Sequence, residues 1–432
     1  MKLLVVGGGG REHAIVRSLL HSTQVEEIIL TPGNGGTATL PRCQNLPLAA
    51  EDIQGIVEIC QSQGIDLAIV GPEVPLALGL VDRLQKVGIP AFGPTQAGAQ
   101  LEASKAWAKT FMVEEKIPTA QSATFHDRLT ALEYVQRKGA PIVVKADGLA
   151  AGKGVTVALT LEEAIEAIEA AFQGKFGSAG QCLVIEDYLT GAEVSLLALT
   201  DGKTIRPLLP AQDHKRIGEG DTGENTGGMG AYAPAPLVTP AMLERITTEI
   251  LQPTIEGLRQ RGIDYRGILY AGLMLTPTAD PQVFDPKVIE FNCRFGDPET
   301  QVLLPLLSTP LLDLLIACVE QRLAEQPPIQ WRSGVAATVV AAAPGYPGSY
   351  PKGSTITGIH QAETQGAIVF QAGTQIQENR LVTSGGRVLA VTAEGSNFDE
   401  AFAQAYQALK EIQFEGIYYR RDIGYQVRSG LI

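Results

Sequence analysis

Glu290 and Asn292 stand two residues apart in the segment VIEFNCRFGDPET, residues 288–300. If its apolar opening is a strand, alternation turns both side chains to one face, where a carboxylate and an amide oxygen suit a hard divalent cation such as Mg²⁺. Arg294 continues that face and can hold a carboxylate or a phosphoryl oxygen with two parallel donors. Three polar groups on one face of such a strand are costly to bury unpaired, so a metal and anion site explains the pattern better than a core strand does.

Two glycine-rich turns offer places for phosphate. The run Gly7–Gly10 lies between an apolar strand and a helical pattern, so its backbone amides can meet an anion at a helix N-terminus, with Arg11 adding charge. The dinucleotide fingerprint GxGxxG fails there: read from Gly7 it meets Glu12 in the third glycine place, and from Gly8 it meets His13. The second strand ends at Leu30 and Thr31 without the acid a ribose would need, which favours a phosphorylated small ligand over NAD and leaves a plain tight turn as the alternative. The second turn, KADGLAAGKGV from Lys145 to Val155, departs from a Walker A loop. Only three residues separate Gly148 from Gly152, and Gly154 stands where Ser or Thr should meet magnesium. What remains is a glycine hairpin flanked by Lys145 and Lys153, which can close over a polyphosphate or lie open with solvated lysines.

Further along, VIEDYL (residues 184–189) and Glu193 set carboxylates beside a strand end. Backbone groups there can meet a purine edge while Glu193 accepts from ribose hydroxyls, although solvated glutamates give the same pattern. The tract QDHKRIGEGDTGENTGGMGAY, residues 212–232, is glycine-dense, carries both charges and reads by composition as a mobile surface loop.

The elements that must position these groups follow from apolar periodicity. Residues 1 to about 100 alternate short apolar runs (3–6, 28–30, 67–70, 89–92) with helix-period stretches (11–20, 53–63, 76–87), which predicts a βαβ series and a parallel sheet. The turns GGGGRE, TPGNGGT and GPEVP follow three of those strands and should line one crevice at their carboxyl ends. From 104 to 325 the pattern is mixed, with strands at 142–145, 183–186 and 194–199 and helices near 161–172, 241–260 and 301–323. From 326 to 432, strands at 335–342, 366–370 and 387–392 precede a helix carrying Phe398, Phe402, Tyr406 and Leu409 on one face, a small α+β unit.

Composition narrows the class. The 432 residues are 45% apolar and 19% charged, ordinary globular usage for about three domains. Asp and Glu number 47 against 34 Lys and Arg, a net charge of −13 that repels phosphate backbones and argues against a nucleic-acid partner. Five cysteines lie far apart with no CxxC pair, which fits a reducing compartment and neither a disulfide framework nor a zinc site. No apolar run approaches the about 20 residues of a membrane span, and the start is too short for a signal-peptide core, so a soluble cytoplasmic protein is expected.

Taken together, these segments resemble the phosphoribosylamine-glycine ligases (glycinamide ribonucleotide synthetases) of the ATP-grasp superfamily. The resemblance spans nearly the whole chain: GGGGREHA, PGNGGT, VGPEVPL, KADGLAAGKGV, QDHKR, NTGGMGAY, YAGLM, EFNCRFGDPETQ, GGRVL and RRDIGY occur in this order. Single glycine motifs are weakly specific, whereas EFNCRFGDPETQ, QDHKR and NTGGMGAY in succession are highly so. The resemblance implies a pre-ATP-grasp parallel-sheet domain over 1–103, an ATP-grasp domain over 104–325 with a lid at about 122–190, and an α+β domain over 326–432.

It also implies chemistry. Glycine would be joined to 5-phosphoribosylamine through a glycyl phosphate, with ATP as co-substrate and Mg²⁺ or Mn²⁺ as the metal. Lys105 and Lys145 would contact ATP phosphates under a loop containing Gly148, Gly152, Lys153 and Gly154. Adenine would meet Glu186, Asp187 and Leu189, and Glu193 the ribose. Glu290 and Asn292 would hold the metal. Many ATP-grasp ligases add a carboxylate on the preceding strand, which here reads YAGLML and carries none, so a second ion would need Glu290 as a bridge. Arg294 and Asp297 would contact glycine or the transferred phosphoryl. Asp213, Lys215 and Gly228 would border the acceptor site. Gly10, Arg11, Glu12, Asn34, Gly36, Thr37 and Glu73 would hold the ribose phosphate. A monomer or weak dimer with small-molecule partners is expected. A carboxylating or formyl-transferring ATP-grasp enzyme, a nicotinamide-dependent dehydrogenase and a non-catalytic nucleotide-binding regulator are the alternatives.

Overall fold

The computed structural model describes residues 1–149, 154–280 and 283–428. Strands β1 (Lys2–Gly7), β2 (Glu27–Pro32), β3 (Cys43–Asn45), β4 (Leu67–Val70) and β5 (Ala91–Phe92) form a parallel sheet in the order β3-β2-β1-β4-β5. Their apolar runs are nearly continuous because both faces are covered, as parallel sheets require. Alternation divides them: Leu4, Val6, Ala68 and Val70 enter one core, while Leu3, Val5, Leu67 and Ile69 enter another with Ile15, Leu19 and Leu315. Burying each such side chain contributes about 1.5–3 kcal/mol. The order reverses at β1, whose neighbours β2 and β4 lead away on either side, and ligands bind in open α/β sheets at such a switch point.

Strands β6 (Ser122–Phe125), β7 (Ile142–Ala146), β8 (Val155–Ala158) and β9 (Leu183–Asp187) make an antiparallel sheet, order β6-β9-β7-β8, with a separate small core around Val135, Val144 and Ile168. Next come β10 (Ala192–Thr200), β11 (Ile205–Pro207), β12 (Gln212–Asp213), the hairpin of β13 (Arg216–Gly218) and β14 (Thr222–Asn225), β15 (Gly230–Ala233), β16 (Gly267–Pro277) and β17 (Phe284–Asn292). Of these, β11-β10-β16-β17 form a second antiparallel sheet. The chain ends with β18 (Val335–Ala342), β19 (Ile368–Gln371), the hairpin of β20 (Thr374–Gln377) and β21 (Arg380–Thr383), β22 (Arg387–Gly395) and the helix Phe398–Leu409. The last sheet runs β12-β15-β18-β22-β19, so two strands from the middle of the chain complete it. Among the described residues no helix is long and apolar enough to cross a membrane.

Two long helices of the sequence reading are broken. The stretch 76–87 is divided at Gly79, which adopts φ +79, and 301–323 becomes Thr300–Leu306 and Leu311–Val319 across Pro310, as proline requires. The tract expected as a mobile surface loop contains the β13–β14 hairpin and β15.

His13, on the helix Gly10–Leu19, joins the first sheet to the last: its Nδ1 accepts from the Gln371 N–H at 2.8 Å. Burial, and next the charge of Arg17, pull this imidazole from 6.5 down to about 3. Its folded pKa lies below its unfolded one, so between the two the unfolded chain binds more protons and stability rises with pH. The contribution is whole above about 6.5 and lost as pH falls towards 3. Between pH 7 and 5 the unfolding free energy should fall by about 2 kcal/mol from this residue. Denaturant unfolding at the two pH values checks it, and a His13→Gln variant should lack that share of the slope.

Candidate active site

The segment read first as a metal face is the end of β17. Its ladder with β16 slips between Gly272, which faces Glu290, and Leu273, which faces Val288, so Ile289 bulges. Bulges re-aim side chains beside active sites, and the Ile289 carbonyl, freed here, accepts from Lys145 Nζ at 3.1 Å. Glu290 faces a cavity of about 1040 Å³, with its Oε1 3.7 Å from Lys215 Nζ. Burial pushes the Glu290 carboxyl up, but Lys215, Lys145, Lys105 and Arg294 outweigh it and bring the group down to about 2. An anion is therefore held among four cations, a field that a polyphosphate would share.

Arg294 is engaged within the protein. Its Nη2 lies 3.0 Å from Glu102 Oε1 and donates to Asn292 Oδ1 at 3.2 Å, while Nε donates to Glu73 Oε2 at 3.3 Å. It thereby ties β17 to two N-terminal helices while still lining the cavity. Asp297 accepts from Gln301 Nε2 at 2.8 Å and pairs with Arg387 at 3.4 Å. Burial raises its carboxyl, yet Arg387 and Arg11 hold it below the usual range.

Lys105 begins the helix Lys105–Glu114, capped by Ser104, whose hydroxyl accepts from Trp107 N–H at 3.1 Å. Its Nζ donates to the Gly148 carbonyl at 2.9 Å, so the glycine hairpin begins over it. Burial lowers the Lys105 ammonium pKa, with Glu290 opposing. Lys145, at the end of β7, pairs with Glu186 of β9 at 2.9 Å. Asp187 pairs with Lys138 at 2.9 Å, and Glu193 with Lys215 at 3.2 Å. Gly148, Gly154, Leu189 and Glu193 line the same cavity. Gly152 and Lys153 lie outside the described residues.

The N-terminal turns divide. Arg11 and Glu73 line the large cavity, whereas Gly10, Glu12, Asn34, Gly36 and Thr37 are not among its walls. The polar members among them hold the turns themselves. Glu12 accepts from Gly9 N–H and Arg11 Nε, both at 2.6 Å. Asn34 accepts from the Gly36 and Thr37 amides and donates to the Gly8 and Gln371 carbonyls. These bonds press the turns so close that a Cβ on Gly8 would fall 2.4 Å from the Gly33 carbonyl oxygen. Beside them opens a second cavity of about 370 Å³, bounded by Gly8, Gly9, Gly33, Thr374, Ser384 and Arg387, with Asp297, Tyr346 and Arg387 shared with the first.

Asp213 ends β12 and Lys215 follows two residues on, both lining the cavity. Burial and the nearby Glu299 raise the Asp213 carboxyl well above the usual range, with Lys215 and Arg387 opposing. Gly228, at φ +111, lets the loop lie against Asp213, since a Cβ there would sit 2.6 Å from Oδ1. Residues that sequence reasoning missed hold this wall. Arg420, fully buried, donates to Asp221 Oδ1 at 2.7 Å, to the Arg216 carbonyl at 3.0 Å and to both oxygens of Asp422. Gly424 N–H donates to His214 Nε2 at 3.1 Å. Arg387 donates to the Gly227 carbonyl. The segments RRDIGY and GGRVL were visible as motifs, but nothing in them named a partner some 200 residues away. Among the described residues no cluster of three or more His, Cys, Asp or Glu could hold a metal, so a cation would depend on the Glu290 and Asn292 oxygens with ligands from outside the chain.

Comparison with known proteins gives one consistent family. The N domain of phosphoribosylglycinamide synthetase matches residues 1–102, its ATP-grasp (A) domain residues 103–300 and its C domain residues 336–426. A phosphoribosylamine–glycine ligase of Nostoc sp. is 64% identical over 430 residues, covering 99% of this chain and 100% of its own. One from Synechocystis sp. is 55% identical over 426 residues with the same coverage. The crystal structure of the Thermotoga maritima phosphoribosylamine–glycine ligase superposes with a TM-score of 0.83 at 33% identity, covering 98% of this chain and 100% of that one. The biotin carboxylase domain of a Hydrogenobacter thermophilus 2-oxoglutarate carboxylase, 16% identical with a TM-score of 0.73, shares the fold over 97% of this chain and 91% of its own. With matches in this order and over this length, the chain belongs to the phosphoribosylglycinamide synthetase family of ATP-grasp ligases.

Proposed function

We propose that this chain joins glycine to 5-phosphoribosylamine at the expense of ATP, giving glycinamide ribonucleotide, ADP and phosphate in purine biosynthesis. The observation that carries the reading is the large cavity in which ionised Glu290 sits among Lys105, Lys145, Lys215 and Arg294 and which meets the N-terminal glycine turns through Asp297 and Arg387. A glycine carboxylate oxygen attacks the γ-phosphorus, and the bond to the β–γ bridging oxygen breaks as ADP leaves. The amine of phosphoribosylamine then attacks the glycyl carbonyl carbon, the C–O bond to phosphate breaks, and the nitrogen gives up a proton.

Lys105 and Lys145 hold phosphate oxygens, with Gly148 and Gly154 above. The backbone of the strand end Glu186–Leu189, that of Asp187 included, meets the adenine edge, and Glu193 the ribose. Glu290 and Asn292 offer the hard oxygen donors that Mg²⁺ or Mn²⁺ takes, and a cation held there would offset phosphate charge. Arg294 and Asp297 border the transferred group. Asp213 and Lys215, beneath Gly228, border the acceptor. The Gly7–Gly10 turn receives the ribose phosphate, with the second cavity as its seat, while Arg11 and Glu73 reach the ribose from the large cavity. Glu12, Asn34, Gly36 and Thr37 serve by keeping that turn in place. In this reading residues 1–103 hold the phosphoribosyl substrate, 104–325 activate glycine under a lid at about 122–190, and 326–432 complete the acceptor wall. The five free cysteines suit a cytoplasmic setting.

The test is ADP release from Mg-ATP with glycine and phosphoribosylamine, the latter generated in place from ribose 5-phosphate and ammonia, with each component omitted in turn. Release is expected only with both substrates. Release driven by bicarbonate or formate in place of glycine would remove the substrate assignment.

A further inference from the structure

Two lysines share one carboxylate at the nucleotide end of the cavity. Lys145 Nζ lies 2.9 Å from Glu186 Oε1, and Lys109 Nζ lies 3.0 Å from Glu186 Oε2. All three side chains are only about 5% exposed, and all three line the cavity. Lys109 also donates to Thr119 Oγ1 at 2.6 Å, and that hydroxyl donates to the Val288 carbonyl at 2.7 Å, which fixes the lysine from behind. Lys109 follows Lys105 by one helical turn, so one short helix presents a cation to the glycine hairpin and another to Glu186. The three groups carry two positive charges and one negative. Ionised Glu290 offsets part of that excess, and a phosphate joining the group would offset the rest.

We propose that Lys109 is a positioning residue for the nucleotide phosphates: it keeps Glu186 paired when Lys145 leaves that carboxylate for a phosphate oxygen. The inference rests on the reading that Lys145 meets the phosphates of ATP. No covalent bond changes; one ion pair is exchanged for another. Without Lys109 the Glu186 carboxylate has Lys145 as its sole ammonium partner, and departure of Lys145 would strand a buried anion. Burial pulls the Lys109 ammonium down to about 8, with Glu186 opposing, so the group keeps most of its charge at neutral pH.

The experiment titrates the full-length protein with Mg-ADP and, separately, with adenosine, by calorimetry. Lys109→Met should weaken ADP by roughly tenfold or more and leave adenosine unchanged, because only a phosphate-bearing ligand needs Lys145 released. Adding Glu186→Gln to that variant should recover most of the loss: no carboxylate then holds Lys145, and the net charge of the three positions returns to its original value. A packing defect at position 109 is not mended by an isosteric change at 186, so recovery separates positioning from a merely structural role. ADP affinity unchanged in Lys109→Met, or a double variant as weak as the single, overturns the inference. ADP affinity unchanged in Lys145→Met overturns the phosphate assignment of Lys145, and the inference with it. Should Lys109→Met not fold, the double variant is compared with Glu186→Gln alone. Affinities within about threefold of each other are expected, and a further tenfold loss overturns the inference.

Discussion

Glu290→Gln should lower the rate of ADP release by about 10³-fold, the loss of roughly 4 kcal/mol of transition-state stabilisation, while the chain stays folded. The amide keeps the shape of the side chain and one oxygen, so the bulge at Ile289 and the approach to Gly272 are undisturbed. What changes is charge. Four cations that shared their field with one carboxylate would face the phosphates without it, and the anionic metal donor would be gone. The stability effect has a defined sign. The folded carboxyl titrates at about 2 against an ordinary 4.5, so its contribution is present above about 4.5 and lost as pH falls towards 2. At pH 7 the variant should therefore melt slightly below the parent, and the gap should close in acid, with the partly open setting of the side chain keeping it small. Steady-state ADP release and thermal unfolding on the same preparation check both halves. A rate within a few-fold of the parent would remove Glu290 from the metal position.

The parts legible in sequence were those whose local pattern and tertiary surroundings agree. β4 occupies 67–70 as read, because an apolar run punctuated by Gly and Pro has one plausible state when both faces are buried. β3 escaped notice: Cys43, Gln44 and Asn45 carry no apolar run, and they form a strand by pairing with the edge of β2. The helix Lys105–Glu114 escaped too, since Lys109 is buried against Glu186, on the side where an amphipathic pattern would lead one to expect apolar residues. In the site, spacing along β17 was enough to place Glu290 and Asn292, but Arg294–Glu102 and Arg420–Asp221 join residues some 200 positions apart, about which spacing is silent. Polar residues inside the glycine turns were read as ligand contacts. Their buried atoms are instead occupied with one another, because a turn compressed to the closeness of Gly8 and Gly33 must satisfy its own backbone groups.

Arg294→Met should be the most damaging change where β17 meets the N-terminal helices, and its damage has two separable parts. The guanidinium lies against Glu102 and Glu73, and removing it leaves two carboxylates of like charge at that wall of the cavity. Burial already raises the Glu102 carboxyl, and the charge of Glu73 adds to that while Arg294 opposes it. Breaking so enclosed an arrangement by deleting one partner costs about 3–5 kcal/mol of folding stability. The rate should fall by about 10²–10³-fold as well, since a cation that offsets developing phosphate charge is lost where water is scarce. Glu102→Gln placed in the Arg294→Met background tells the two apart. Neutralising the stranded carboxylate should return much of the lost stability in denaturant unfolding, because the buried unpaired charge is gone and the amide can still accept from the Cys293 N–H, which now meets Glu102 at 2.7 Å. It should not return the rate, because no positive charge has been restored. Arg294→Lys belongs to the same series: a point charge cannot span Glu102, Glu73 and Asn292 as a planar fork does, so it should recover part of the stability and only a small part of the rate. If the rate and the stability rose together across these variants, Arg294 would be a strut between β17 and the N-terminal helices and would have no part in the transfer.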